Sequence, residues 1–568
     1  MARMFSFHLA YVRTALDFAL FIGLLVAWFA PHLGERPAGA VERFGTRLAK
    51  RKRLAVFSIA ALTIALRLSL LWALPVPIPS VHDEFSYLLA ADTFAHGRLT
   101  NPPHPMWIYF DTIHVNQWPT YMSKYPPAQG AVLALGQLLG HPWIGVLLST
   151  AAMCGAVVWA LQGWLPPQWA LLGGILVMIR IGIFSYWMNS YWGGSVAALG
   201  GALVIGAFPR ILHFRRTRDA VLMAMGMAIL ANSRLLEGFL FCIPVVVALA
   251  VWFFRRRNFP WKLSVPRLVL PFLLVMLSCG IFIAYYDWRL TGHPLLTPYQ
   301  LSEQTYNGAA PIIFWQRERP PLHYLNPQFD AFYNVFARNL WLQTRVRGVR
   351  QGLRYAASIF YTIISVYFSR VLCIPFIVLP WMLADRRTRF LMIQALFCFL
   401  GFLLAPAFQP HYAAPLVATM FALLVQAWRH LRQVRYRDRP VGLALSRLTA
   451  LALLRGVVVF AIAVLPFYSV AKTLDNGTLP IVYRSRIEAQ LQALPGRHLV
   501  IVRYGPAHNV AGEWVYNRAD IDDAKVVWAR EIPGISLDPL LDYFRNRQVW
   551  LVEADASPPV LIPFKNEK

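Results

Sequence analysis

The chain has 568 residues, of which 57% are hydrophobic and only 14% charged, and its net charge is +27. A soluble domain carries about 25% charged residues, so an ordinary globular protein is excluded. Nucleic-acid binding is excluded as well, because the cations form no continuous stripe. They sit in short clusters between apolar runs, around Arg47 to Arg53, Arg215 to Arg218, Arg255 to Arg257, Arg386 to Arg389 and Arg429 to Arg439. That is where the positive-inside rule puts them on cytoplasmic loops.

A bilayer core about 30 Å thick takes roughly 20 apolar residues per helix. Residues 1–53 read as an N-terminal anchor helix (Thr14 to Leu33) followed by a basic cytoplasmic loop. A second helix, Leu54 to Leu74, carries Arg67, which in lipid must face protein or snorkel. Residues 75–142 form a long outer loop. Helices follow near 143–162, 169–188 and 193–212. The stretch 219–254 reads as a hairpin whose arms are short for full spans. A helix at 266–286 leads to a second outer loop, 287–354. The last spans lie near 355–382, 390–408, 413–428 and 450–470. The count is about twelve, and residues 54–471 form one transmembrane domain.

Residues 472–568 differ in having balanced charge and no basic clusters. Runs rich in Val, Ile and Trp at His498 to Tyr504, Lys525 to Arg530 and Gln548 to Glu553 predict strands. Helices are expected at Ser485 to Leu494 and Leu537 to Asn546. The fold class is thus an all-α polytopic membrane protein with a small C-terminal α/β domain outside the cytoplasm. A bacterial-type inner membrane is the expected location. The five cysteines lie in apolar segments, so no disulfide framework is implied.

The sharpest chemical pattern is His82-Asp83-Glu84-Phe85-Ser86-Tyr87, directly after a membrane helix. Acidic residues favour the first turn of a helix, which is the purely structural explanation. Further along stand Lys124-Tyr125-Pro126-Pro127. An Asp-Glu pair opening a long extracytoplasmic loop, with a Lys-Pro-Pro-like segment near its end, resembles the GT-C glycosyltransferases, the group of the protein O-mannosyltransferases and the lipid A aminoarabinose transferase. This chain departs from the pattern in placing Tyr125 between the lysine and the prolines.

The resemblance implies a GT-C-like bundle and a sugar donor carried on polyprenyl phosphate. It also implies Asp83 as the base that deprotonates an acceptor hydroxyl or amine in an inverting displacement. Glu84 would orient the acceptor or the loop. A leaving phosphate gains charge and draws cations. Lys124 and Arg234 are the candidates for it, with Arg289 and the series Arg345, Arg347, Arg350 and Arg354 behind them. Arg234 is three residues from Glu237, the spacing of a structural pair on a helix. The arginine series is spaced for one face of an interfacial helix. Tyr125, Glu237, His411 and Tyr412 are candidate substrate contacts. No metal motif is present, so a divalent metal site would have to assemble in space, and no cofactor is expected beyond the donor substrate. Expected partners are the lipid-linked donor, an acceptor that is lipid, glycan or protein, and membrane lipids. The competing reading is a transporter or flippase of a lipid-linked substrate, against which the chain shows no paired interrupted helices. A non-catalytic assembly protein would leave Asp83, Glu84 and Lys124 unexplained.

Overall fold

The computed structural model describes residues 35–255, 261–306, 320–345, 348–437, 439–459 and 480–564. The expected anchor from Thr14 to Leu33 lies outside these residues, as does the second half of the expected last span. After α1 (Glu35–Lys50) and α2 (Lys52–Ser69) come two helices inside the first loop, α3 (His82–Ala95) and α4 (Pro127–Leu138). Then follow α5 (Pro142–Leu161), α6 (Pro167–Val177), α7 (Gly194–Phe214), α8 (Thr217–Ala231), α9 (Leu235–Arg255) and α10 (Leu270–Thr291). The second loop contains α11 (Pro298–Thr305), and α12 (Val349–Ile363), α13 (Arg386–Phe402), α14 (Val417–Gln433) and α15 (Val441–Val459) complete the helical part.

Among the described residues six helical stretches are long and apolar enough to cross a membrane: Pro142–Leu161, Gly194–Phe214, Leu235–Arg255, Val265–Thr291, Val349–Leu372 and Pro410–Gln433. The chain is therefore a multi-pass membrane protein. The second hairpin arm differs from its expected short length: α9 has 21 residues, because Pro244 is accommodated within it. Leu273, Leu274, Leu277 and Ile281 of α10 are exposed, as side chains that meet lipid are, whereas the stretch Pro410–Gln433 is almost wholly enclosed. Gly201 allows α7 to approach residues 410–416, since a Cβ there would lie 2.1 Å from the Pro415 carbonyl oxygen.

Arg67 faces protein. It is fully buried and donates to the carbonyls of Leu74 (2.8 Å) and Pro75 (3.3 Å) and to Asn189 Oδ1 (3.0 Å), beneath the Trp143 ring. All five cysteines are free.

A two-stranded ribbon in the first loop pairs β1 (Val115–Asn116) with β2 (Met122–Ser123) and delivers Lys124 and Tyr125 to the start of α4. The C-terminal residues form α16 (Pro480–Ala493), β3 (His498–Arg503), β4 (Val526–Arg530), α17 (Asp538–Tyr543), β5 (Gln548–Glu553) and β6 (Leu561–Pro563). The sheet order is β4-β3-β5-β6, with β3 parallel to both neighbours and β6 antiparallel at the edge. β3 is central and covered on both faces, which is why its sequence is an unbroken apolar run rather than an alternating one. One face packs on Ile487 and Leu491 of α16. The other joins Leu89, Tyr109, Phe110 and Tyr121 of the first loop in a shared core. The α/β unit is thus built onto the loop that carries the Asp-Glu pair.

Candidate active site

α3 begins where the chain leaves an extended Val81, and this puts Asp83 and Glu84 in its first turn, where the helix dipole favours anions. The two carboxylates then diverge. Glu84 is 1% exposed. It accepts hydrogen bonds from the backbone of Ser80 (2.7 Å), Val81 (3.2 Å) and Tyr191 (2.8 Å) and from the Ser80 hydroxyl (3.1 Å). It ties the entry to α3 to the 186–193 turn, and its contacts are with loops. Asp83 is only partly buried and accepts from the Tyr125 hydroxyl. Burial, with Asp83 beside it, pushes the Tyr125 phenol well above its ordinary range, so Tyr125 is a neutral donor that fixes one Asp83 oxygen.

Around Asp83 stand four tyrosines. Tyr87, one turn along α3, stacks on Tyr125 at 4.7 Å. Tyr299 of α11 and Tyr412 are within electrostatic reach of Asp83 and of Glu237. Two cations close the cluster. Lys124 is 4% exposed, lies over the Tyr299 ring at 4.7 Å, and pairs with Glu303 at 3.2 Å. Arg234 sits between α8 and α9 over the Tyr412 ring at 5.1 Å. It feels Tyr87, Glu237, Tyr412 and Tyr125, yet its guanidinium makes no hydrogen bond and no ion pair within 4 Å among the described residues. Glu237 lies in the first turn of α9. His411 is 3% exposed, meets the Tyr186 hydroxyl through Nδ1 at 3.0 Å, and packs against Trp192. It borders Arg234 from within an aromatic cage.

The structure therefore brings Asp83, Lys124, Tyr125, Arg234, Glu237 and Tyr412 together and sets His411 behind Arg234, while Glu84 is occupied by backbone. Arg350 and Arg354 are exposed on α12. Arg289 donates to Tyr285 of its own helix. Tyr87, Tyr299 and Glu303 are additions to the sequence-derived set. Tyr87 was signalled by its four-residue spacing from Asp83, whereas nothing local marks Tyr299 or Glu303. Among the described residues no three His, Cys, Asp or Glu side chains are grouped to hold a metal ion.

The C-terminal unit grips α3 on both sides of Asp83. His82 meets the Tyr516 hydroxyl through Nδ1 and the Val510 carbonyl through Nε2 (2.7 Å). Phe85 stacks flat on Tyr516 at 4.1 Å and lies under Arg484. Further along, Asp92 accepts from the Ala519 amide at 2.8 Å. Burial holds His82 below its usual pKa, and its Nε2 contact to a carbonyl makes it an Nε2–H tautomer that accepts from Tyr516. Arg530, 1% exposed, reaches Glu513 (2.6 Å), Gln328 (2.6 Å), Asn326 (3.2 Å) and the Asp111 carbonyl (3.3 Å). It joins the sheet to both loops.

Asp111 gives this junction a pH dependence. Burial pushes its carboxyl up to about 7, against the Tyr306 hydrogen bond and Arg530. The folded state then holds a proton that the unfolded state releases near pH 4, so stability falls as pH rises from about 4 to 7. Asp111→Asn is expected to flatten that part of the profile of melting temperature against pH in the solubilised protein.

The chain is thus a multi-pass membrane protein with a carboxylate, two cations and a tyrosine shell where its two long loops meet the helices. No family model matches the chain, and no curated protein matches it in sequence. Among solved structures it is similar to ArnT from Cupriavidus metallidurans bound to undecaprenyl phosphate, at 13% identity over 87% of this chain and 92% of that one, with a TM-score of 0.47. It is also similar to the Archaeoglobus fulgidus oligosaccharyltransferase in complex with Zn and sulfate, at 12% identity over 88% and 67% of the chains, with a TM-score of 0.45.

Proposed function

We propose that this protein is a membrane glycosyltransferase that moves a sugar from a polyprenyl-phosphate carrier to an acceptor hydroxyl or amine outside the cytoplasm. The observation that carries the reading is the meeting of a partly accessible Asp83 with Lys124 and Arg234 across one tyrosine shell. The acceptor O–H or N–H attacks the anomeric carbon while the bond from that carbon to the phosphate oxygen breaks. The bonding pair leaves with the phosphate, and the acceptor proton passes to Asp83. A positioned carboxylate contributes about 10²–10⁴-fold to such a step. One displacement inverts the anomeric centre.

The leaving phosphate gains charge, and charge-assisted hydrogen bonds from Lys and Arg are the strongest available to it. Arg234, whose guanidinium makes no hydrogen bond among the described residues, is suited to the carrier phosphate. Lys124 exchanges part of its Glu303 contact for it. Tyr87, Tyr125, Tyr299 and Tyr412 supply neutral hydroxyls and a low-dielectric wall that strengthens these contacts.

Arg234→Met tests the assignment. A hydrogen bond to a charged group is worth about 1.5–3 kcal/mol, so affinity for undecaprenyl phosphate, measured by titration of the detergent-solubilised protein, is expected to weaken by roughly ten- to hundredfold. Unchanged affinity with an unchanged melting temperature contradicts a phosphate role for Arg234.

A further inference from the structure

Away from the tyrosine shell, a cavity of about 260 Å³ lies where the first loop, the second loop and the C-terminal unit meet. Trp107 and Tyr324 contribute to its walls, Tyr306 and Ile532 line it further, and Asp111 and Asn326 supply polar groups. Asn326 is 5% exposed. Its Oδ1 accepts from the Gln328 amide at 3.0 Å and from Arg530 at 3.2 Å, which assigns the opposite end as the NH₂ group. That Nδ2 is buried and has no hydrogen-bond partner among the described residues. A buried donor left unsatisfied costs about 1–3 kcal/mol, so such groups normally meet a ligand or an ordered water. Beside it, Asp111 accepts from the Tyr306 hydroxyl at 2.9 Å and keeps further acceptor capacity on its carboxyl group.

From this arrangement we infer that the cavity is a binding subsite for a sugar ring of the acceptor. Aromatic faces suit the C–H faces of a pyranose, while an amide donor beside a carboxyl acceptor suits neighbouring hydroxyls. The volume is just under the roughly 300–1,000 Å³ of drug-sized sites, which fits a single ring and not a lipid. An anionic headgroup is disfavoured, because the nearby Arg530 is already held by Glu513 at 2.6 Å. The cavity is one aromatic layer from the Lys124 pair: Tyr306 stacks on Tyr333 at 5.6 Å, and Tyr333 feels both Asp111 and Glu303. The ring is therefore assigned to the acceptor, entering from the side of the C-terminal unit. The assignment to an acceptor rests on the glycosyltransferase reading; the sugar site itself does not.

The test is saturation-transfer NMR on the full chain in detergent, with methyl glycosides of glucose, mannose, galactose and N-acetylglucosamine as probes. Asn326→Asp keeps the oxygen that faces Gln328 and Arg530 and replaces the NH₂ donor with a carboxylate oxygen, an acceptor; Trp107→Ala removes one wall. At least one glycoside is expected to bind the native protein and Asp83→Asn alike, and to lose at least about tenfold in affinity (1.4 kcal/mol) in both cavity variants. The inference is overturned if none of the four binds at millimolar concentration, as a cavity holding only water would require, or if binding survives both variants, as a site elsewhere would require. In transfer assays the same glycoside is expected to compete with acceptor; competition with the lipid-linked donor alone overturns the acceptor assignment. Glycoside binding in a protein that transfers from no donor would uphold the sugar site while removing the glycosyltransferase reading.

Discussion

Asp83→Asn is expected to lower the rate of sugar transfer by at least about a thousandfold, within the 10²–10⁴ range for a general base, while donor affinity stays within about twofold. The asparagine side chain is the same size, and its oxygen can still accept from the Tyr125 hydroxyl that now holds Asp83. What it cannot do is take the acceptor proton. Single-turnover transfer in membranes, beside a titration with undecaprenyl phosphate, separates the two effects. An Asn variant that turns over at the native rate removes Asp83 from the chemistry.

Arg530→Met is expected to cost about 3–5 kcal/mol of stability, the usual penalty for removing one partner of a buried ion pair. Arg530 and Glu513 are both 1% exposed as side chains and 2.6 Å apart. Burial pushes the Glu513 carboxyl up, but Arg530 and Tyr504 outweigh it and leave the pKa below the usual carboxylate range. A depressed carboxyl contributes stability at neutral pH that is lost as pH falls through its folded value, below about pH 4. The substitution therefore also removes part of the acid sensitivity. Because Arg530 holds both loops, the loss spreads to the clamp on His82 and Phe85, and transfer activity falls with it. Thermal unfolding of the solubilised protein measures the first effect. The double variant Glu513→Gln with Arg530→Met is expected to recover part of the loss, since no uncompensated buried charge remains.

Much of the architecture was readable in the sequence because apolar runs and basic clusters are local signals. The parallel strands at His498, Val526 and Gln548 were readable for the same reason. The extent of the helix that carries Asp83 was not, and α3 shows why. Its buried residues include Ser86, Asp92 and Thr93 as well as Phe85 and Leu89, so protein covers it on several sides and its sequence has no amphipathic period to detect. Asp83 and Lys124 were marked by their neighbours in sequence, and Arg234 by its place within a membrane hairpin. Glu84 was set apart from Asp83 by the family resemblance alone, because its partners at Ser80 and Tyr191 are set by the tertiary fold. Tyr299 and Glu303 come from a different loop, and Tyr516 lies 434 residues from the His82 it holds; no local pattern encodes such meetings.

On the proposed mechanism Asp83 takes the acceptor proton in a single displacement at the anomeric carbon of a polyprenyl-phosphate sugar. The most direct measurement is proton NMR of the glycoside formed by the native protein from a donor of defined anomeric configuration, run beside Asp83→Asn. The native protein is expected to give a product of inverted configuration and the variant none. A product that keeps the donor's configuration, or equal product from both proteins, would contradict it.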